Sequence, residues 1–212
     1  MDGVLVDSNP FHLQKWIDLL NERGIPYDPA TLPEQLLGSR NDTAIRRFFG
    51  ANVSPEETYR LSEELEARFR RDFKPHARPL PGLAALIESS HRAGIPMAVA
   101  SSAIPKNIEF VVDALGFRPY FRAMVSGDEV THPKPDPEIY LKAVRKLGCA
   151  PGQCVAFEDS FVGLESAKRA GMKCVGIAST FPAEALRRET RADLVVGSFE
   201  EIDLERLRGL FC

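Results

Sequence analysis

The sequence predicts an α/β protein: a doubly wound parallel sheet carrying an inserted all-helical domain. Three observations predict it. After Pro75, short continuous apolar runs alternate with helical segments, the pattern of parallel strands covered on both faces by crossover helices. Across residues 9–73 the periodicity is helical throughout, with no strand. The 212 residues are 44% hydrophobic and 27% charged, which suits one generous domain or a core with a small insert.

In the insert, Phe11, Trp16, Ile17, Leu19 and Leu20 recur at helix spacing until Gly24 stops the run. Residues 31–37 form a short helical piece, and residues 41–49 form another, closed by Gly50. Ser54-Pro55-Glu56-Glu57 supplies an N-cap, a proline at the first helical position and a glutamate where a capping box needs one. The helix it starts runs to about Phe73, with Leu61, Leu65 and Phe69 on one face. In the core, helices are expected at 83–91, 107–115, 139–147, 164–170 and 199–210. Strands are expected at 95–100, 123–125, 154–157, 174–177 and 193–196. The division is a core of residues 1–8 and 75–212 and an insert of residues 9–74.

Composition excludes several classes. A formal net charge of -3 leaves no positive excess to neutralise a nucleic-acid backbone. No stretch approaches the ~20 apolar residues that span a bilayer, and no signal peptide opens the sequence, so no membrane partner and a cytoplasmic location are expected. Cys149, Cys154, Cys174 and Cys212 make no C-x-x-C pair and read as reduced, mostly buried thiols.

Ligands of open parallel sheets bind at the carboxyl ends of the strands. Ser101 and Ser102 follow the first apolar run, Gly127-Asp128-Glu129 and then Lys134 follow the second, and Glu158-Asp159-Ser160 follow the third. Asp2 and Asp7 stand near the start with no strand before them. Carboxylates suit a hard cation such as Mg²⁺, while lysine and hydroxyl donors near helix N-termini suit phosphoryl oxygens. Each piece also has an ordinary reading: Asp159-Ser160 as a helix cap, Ser101-Ser102 as a loop end, Lys134 as a solvated lysine. Their joint placement after three different runs is what caps alone do not require.

Four motifs in order carry a family resemblance. Asp2-Gly3-Val4-Leu5-Val6-Asp7-Ser8 resembles the first motif of the haloacid dehalogenase-like hydrolase superfamily, and Ser101-Ser102 the second. Lys134-Pro135-Asp136-Pro137-Glu138-Ile139-Tyr140 resembles the third, and Phe157-Glu158-Asp159-Ser160 with Gly163, Ser166-Ala167 and Gly171-Met172 the fourth. The order is that of the branch with a helical cap, which holds beta-phosphoglucomutases and sugar-phosphate phosphatases. The resemblance spans essentially the whole chain. It implies a Rossmann-like core with a cap domain, and Mg²⁺-dependent phosphoryl transfer through an aspartyl phosphate. By the same resemblance Asp2 is the general acid and base, and its main-chain carbonyl binds the metal. Ser101 and Lys134 hold the phosphoryl oxygens, with Ser102 beside them. Asp159 is a metal ligand, with Glu158 on the metal or next to it. His12 matches a cap-hinge histidine of the mutases. Arg40, in Gly38-Ser39-Arg40-Asn41-Asp42, resembles part of their substrate loop, although the glycine is one residue closer to the serine. Pro133 stands where the family often has glycine.

One departure is larger. The family's nucleophile precedes the general acid by two residues, and counting back from Asp2 passes Met1. The apolar strand that delivers the nucleophile is missing with it. Four or five buried apolar side chains at ~1.5–3 kcal/mol each rival a domain's whole net stability of ~5–15 kcal/mol, and no unassigned apolar run replaces them. The expectation is a start assigned too late, at an internal methionine. The complete protein would then be an enzyme, and these residues alone inactive and poorly folded. The expected function is a phosphatase or phosphomutase of a small phosphorylated sugar, acting as a monomer or weak homodimer. Alternatives are a beta-phosphoglucomutase proper, a non-catalytic metabolite-binding relative, and a signalling receiver, against which the long helical insert argues.

Overall fold

A computed structural model describes residues 1–36 and 40–212. It divides into two units, Ser8–Ala77 and a second made of Met1–Asp7 with Arg78–Cys212.

The helical unit holds α1 (Asn9–Glu22), α2 (Leu32–Leu36), α3 (Asn41–Phe49) and α4 (Pro55–Phe73). Trp16, Leu19 and Leu20 of α1 meet Leu61 and Leu65 of α4, with Leu32, Leu36, Ala44 and Ile45 completing the core. The cap read at Ser54 is there: its Oγ accepts the Glu57 N–H at 3.1 Å. An ion pair is buried in this unit. Lys15 donates to Glu66 at 2.8 Å, and Asn41 donates to the same carboxylate at 2.5 Å.

The second unit holds α5 (Leu83–Arg92), β1 (Met97–Ala100), α6 (Pro105–Ala114), β2 (Phe121–Val125), α7 (Glu138–Leu147), β3 (Val155–Glu158) and α8 (Phe161–Arg169). It continues with β4 (Lys173–Ile177), α9 (Ala183–Glu189), β5 (Leu194–Val196) and α10 (Leu204–Arg208). All strand pairs are parallel, as continuous apolar runs require. β4, central among three strands, has Cys174, Val175, Gly176 and Ile177 all buried. Val125, Ile139, Val144, Leu164, Cys174 and Leu186 lie in one hydrophobic core cluster.

The sheet is in two pieces: β1 pairs with β2, and β3, β4 and β5 pair in that order. Among the described residues no strand lies between β1 and β3. The chain's first residues do not fill that place. They fold into a tight turn in which Asp2 and Val6 form an isolated bridge, and the Leu80 N–H donates to the Leu5 carbonyl at 3.0 Å.

Several expected boundaries shift for local reasons. The first strand starts at Met97 rather than residue 95, because the Ile95 N–H closes α5 on the Ser90 carbonyl and Pro96 has no N–H to give. The helix expected at 199–210 is broken. Residues 199–201 make a short turn, and Asp203 then caps α10 by accepting the Arg206 N–H at 2.7 Å. α9 was not expected; its only buried residue is Leu186, so it carries no apolar period. The thiols are free, as expected, but only Cys174 is buried. Cys149 and Cys154 are half-buried, and Cys212 is exposed on the last turn.

Candidate active site

The carboxyl ends of β1, β3 and β4 and the loop after β2 supply the polar residues. β3 ends in Glu158, and Ser160 caps α8 by accepting the Gly163 N–H at 3.2 Å. The ordinary reading of Ser160 as a cap is therefore correct, and the same turn fixes the two acids before it. A methyl group on Gly163 would overlap the Glu158 carboxylate, so the first turn of α8 packs directly on it.

Glu158 is the hub. Lys134 pairs with it, the Tyr140 hydroxyl donates to it, and the Ser160 hydroxyl donates at 3.5 Å. Lys134 also reaches the Tyr140 hydroxyl at 3.4 Å and lies 4.9 Å from that ring's centroid. The Lys134 and Glu158 side chains are 9% and 7% exposed, so Lys134 is not a solvated surface lysine. Burial pushes the Glu158 carboxyl up, but Lys134, the chain's amino terminus and the Tyr140 hydroxyl outweigh it and hold it below the ordinary range. The Tyr140 hydroxyl is pushed well up, first by burial and then by the Glu158 charge.

Asp159 is also buried, with a different balance. Its carboxyl is pushed up to about 6, first by burial and then by the neighbouring Glu158 charge, against the Thr180 hydrogen bond and the amino terminus. The first turn of the chain presses on it: Gly3 has φ +66°, and a methyl there would overlap the Asp159 carboxylate and crowd Thr180. The Ser179 hydroxyl donates to the Gly3 carbonyl. Asp2 is thus carried on a turn fastened to Asp159 and to the loop after β4.

Ser101 is buried at the end of β1, where its N–H continues the ladder to Val125 at 3.0 Å. Its Oγ accepts the Ala103 N–H at 3.2 Å, which leaves the hydroxyl proton to donate. Gly127 packs on the Ser102 main chain, joining the loops after β1 and β2.

The structure therefore brings together Lys134, Glu158, Asp159 and the turn bearing Asp2. A family model described as haloacid dehalogenase-like hydrolase matches residues 1–171. The chain belongs to that family. Fructose-1-phosphate phosphatase YqaB of Escherichia coli is 32% identical to this chain over 177 residues, 84% of this chain and 93% of that one. A chloroplastic 5-amino-6-(5-phospho-D-ribitylamino)uracil phosphatase of Arabidopsis thaliana is 30% identical over 210 residues, 99% of this chain. This chain spans only 56% of that plant protein's length. The crystal structure of beta-phosphoglucomutase from Clostridium difficile matches this chain with a TM-score of 0.86 at 27% identity, covering 99% of this chain and 93% of that one. These matches put it in the branch of sugar-phosphate phosphatases and phosphomutases.

The other two residues marked from sequence lie in the helical unit. His12 stacks on Phe69 with ring centroids 3.9 Å apart, and Arg40 bonds Asp42 at 3.3 Å. Gly38 and Ser39, the rest of the expected substrate loop, lie outside the described residues. Sequence reading missed Thr180 and Ser179 as partners of Asp159 and Gly3. The signal was available, since both follow the apolar run 174–177 as the other site residues follow theirs. In sequence Tyr140 is only the end of the Lys134–Tyr140 motif, and its hold on Glu158 has no separate signal there.

Proposed function

We propose that this core is the phosphate and metal end of a Mg²⁺-dependent phosphoryl-transfer site that hydrolyses small phosphorylated sugars. The observation that carries the reading is the buried Lys134–Glu158 pair beside Asp159 and the Asp2 turn. A raised carboxyl and a main-chain oxygen are hard donors of the kind Mg²⁺ takes, and a cation beside Asp159 would offset its burial and the Glu158 charge. Asp159 and the Asp2 carbonyl would hold the ion, which when bound neutralises charge on the phosphoryl oxygens. Glu158 orients Lys134, whose ammonium holds a phosphoryl oxygen while the Ser101 hydroxyl donates to another. Asp2 protonates the leaving oxygen, and then takes a proton from the water that releases the phosphate.

The carboxylate that would carry the phosphoryl group, two positions ahead of Asp2, is not among these 212 residues. The residues present supply holding and proton transfer. Hydrolysis is preferred to mutase action because the two curated relatives above are named as phosphatases. The test is phosphate release from a panel of sugar phosphates with Mg²⁺, using the chain with an apolar segment ending in aspartate fused directly ahead of Met1. Release with aspartate, and none with asparagine or with the bare chain, supports the reading; an idle aspartate form overturns it.

A further inference from the structure

We propose that Cys149 and Cys154 form a reversible dithiol–disulfide site, closed by exchange with a small disulfide such as oxidised glutathione. The backbone around them holds the two side chains together. α7 ends at Gly148, whose φ is +75°, and the Cys149 N–H returns to the Val144 carbonyl at 3.1 Å, so the helix end fixes Cys149. Residues 151–153 then make a tight turn. The Gln153 N–H donates to the Ala150 carbonyl at 3.0 Å, and the Gln153 side chain accepts the Ala150 N–H at 3.3 Å. Cys154 is held from its far side, where its carbonyl accepts the Lys173 N–H at 3.0 Å just ahead of β3.

The sulfurs meet across that turn. The Cys154 thiol donates back to the carbonyl of Ala150, the residue after Cys149, at 3.4 Å. The Cys149 thiol donates to the Leu147 carbonyl at 3.8 Å. The two thiols also share a hydrogen bond. Burial first, then the Cys149 charge and this bond, push the Cys154 thiol up. Neither sulfur is sealed in the core. Both residues are half-buried and line one cavity, whereas Cys174 is buried.

The exchange balances between the two partners. One cysteine thiolate attacks a sulfur of the small disulfide, breaks its S–S bond and releases one thiol, which takes up the proton. The second cysteine attacks the resulting mixed disulfide, releases the second thiol and leaves Cys149 joined to Cys154. Two electrons pass from the protein sulfurs to the small disulfide, and its thiol form reverses the exchange. With its thiol pushed up, Cys154 is the slower nucleophile, so Cys149 attacks first and Cys154 resolves. The site lies about 13 Å along β3 from Glu158, at the amino end of the strand, and stands apart from the proposed reaction.

The test equilibrates the 212-residue chain in glutathione redox buffers, folded and in urea, then blocks the remaining thiols and maps tryptic peptides. Cleavage after Lys146 and Lys168 leaves Cys149 and Cys154 as the two cysteines of peptide 147–168, so the link shows as that peptide unblocked and lighter by two hydrogens. The ratio [GSH]²/[GSSG] at half-oxidation is expected about tenfold higher for the folded chain than in urea, because the fold already holds the thiols together. By linkage, oxidation then raises the thermal midpoint by about 3–6 °C. Cys154→Ser should stop at a glutathione adduct on Cys149 and show no such rise. No link, a link no more favoured folded than unfolded, or a parent chain that stops at glutathione adducts would each overturn the proposal.

Discussion

Replacing Lys134 with methionine removes the cation paired with Glu158 and leaves the carboxylate in place. Both side chains are less than a tenth exposed, so surface screening does not soften the loss. Breaking a buried pair from one side costs about 3–5 kcal/mol, because a buried charge is left behind. Tyr140 and Ser160 still donate to that charge, which puts the expectation at the lower end, ~3 kcal/mol. In a chain of this size that lowers the thermal midpoint by about 6–12 °C. The assay is urea unfolding from pH 4 to 8 for Lys134→Met, Glu158→Gln and the double variant. In the parent, Glu158 titrates below its ordinary value of 4.5, so its contribution is present above that pH and is lost as pH falls through the folded-state value. Without Lys134, burial is left to raise the folded-state value above 4.5. The penalty is then largest at neutral pH and fades as pH falls. The double variant should recover at least half the loss, since the glutamine amide carries no charge and can still accept from Tyr140. A single-variant loss below ~1 kcal/mol at pH 7, or a double variant no more stable than Lys134→Met, would refute the buried-pair account.

Two further outcomes follow from the same rim. Asp159 titrates at about 6 against 3.8 unperturbed, so in chelator the folded state loses ~3 kcal/mol as pH rises through that window. Asp159→Asn should therefore be more stable than the parent by ~2–3 kcal/mol at pH 8 and equal to it near pH 3.5. Mg²⁺ should raise the midpoint of the parent and not of the variant; calorimetry in chelator and in Mg²⁺ reads both. Gly3→Ala meets a positive φ and an overlap with Asp159, and should cost ~2 kcal/mol or more. Gly24→Ala, with φ +62° and open space, should cost only ~1 kcal/mol; denaturant midpoints separate the two, and equal losses would show that the Gly3 turn does not press on Asp159.

How far the sequence could be read depended on whether a signal was local. Ser54 announces α4 with a cap and a proline inside four residues, and β4 announces itself because both of its faces are buried. The acids were legible because they follow apolar runs. α9 was not, having one buried residue and therefore no period. The break before α10 turned on Asp203, whose side chain could cap a helix or lie on one, and sequence gives no preference between them. The partners of Asp159 are separated from it in sequence but adjacent across the β3–β4 pair. A strand-end residue such as Thr180 becomes visible only when register is known.

The split sheet gives the Lys134–Glu158 pair a second consequence. Lys134 lies beyond the carboxyl end of β2, and Glu158 is the carboxyl end of β3, so the pair spans from one half-sheet to the other at the rim. Tyr140, in the first turn of α7, ties the same carboxylate to the helix that packs on β1 and β2. Along the rest of their length β1 and β3 share no ladder, so the rim contacts and the α7 layer hold the halves in register. The carboxylate that in the proposed reaction positions Lys134 for phosphate is here also a clasp. Loss of phosphate binding on mutation of Lys134 would therefore be ambiguous alone, because a loosened rim and a missing ammonium predict the same thing. The double variant resolves it. Once Glu158→Gln makes the clasp neutral, the rim is restored, so phosphate binding that stays lost after stability returns belongs to the ammonium itself.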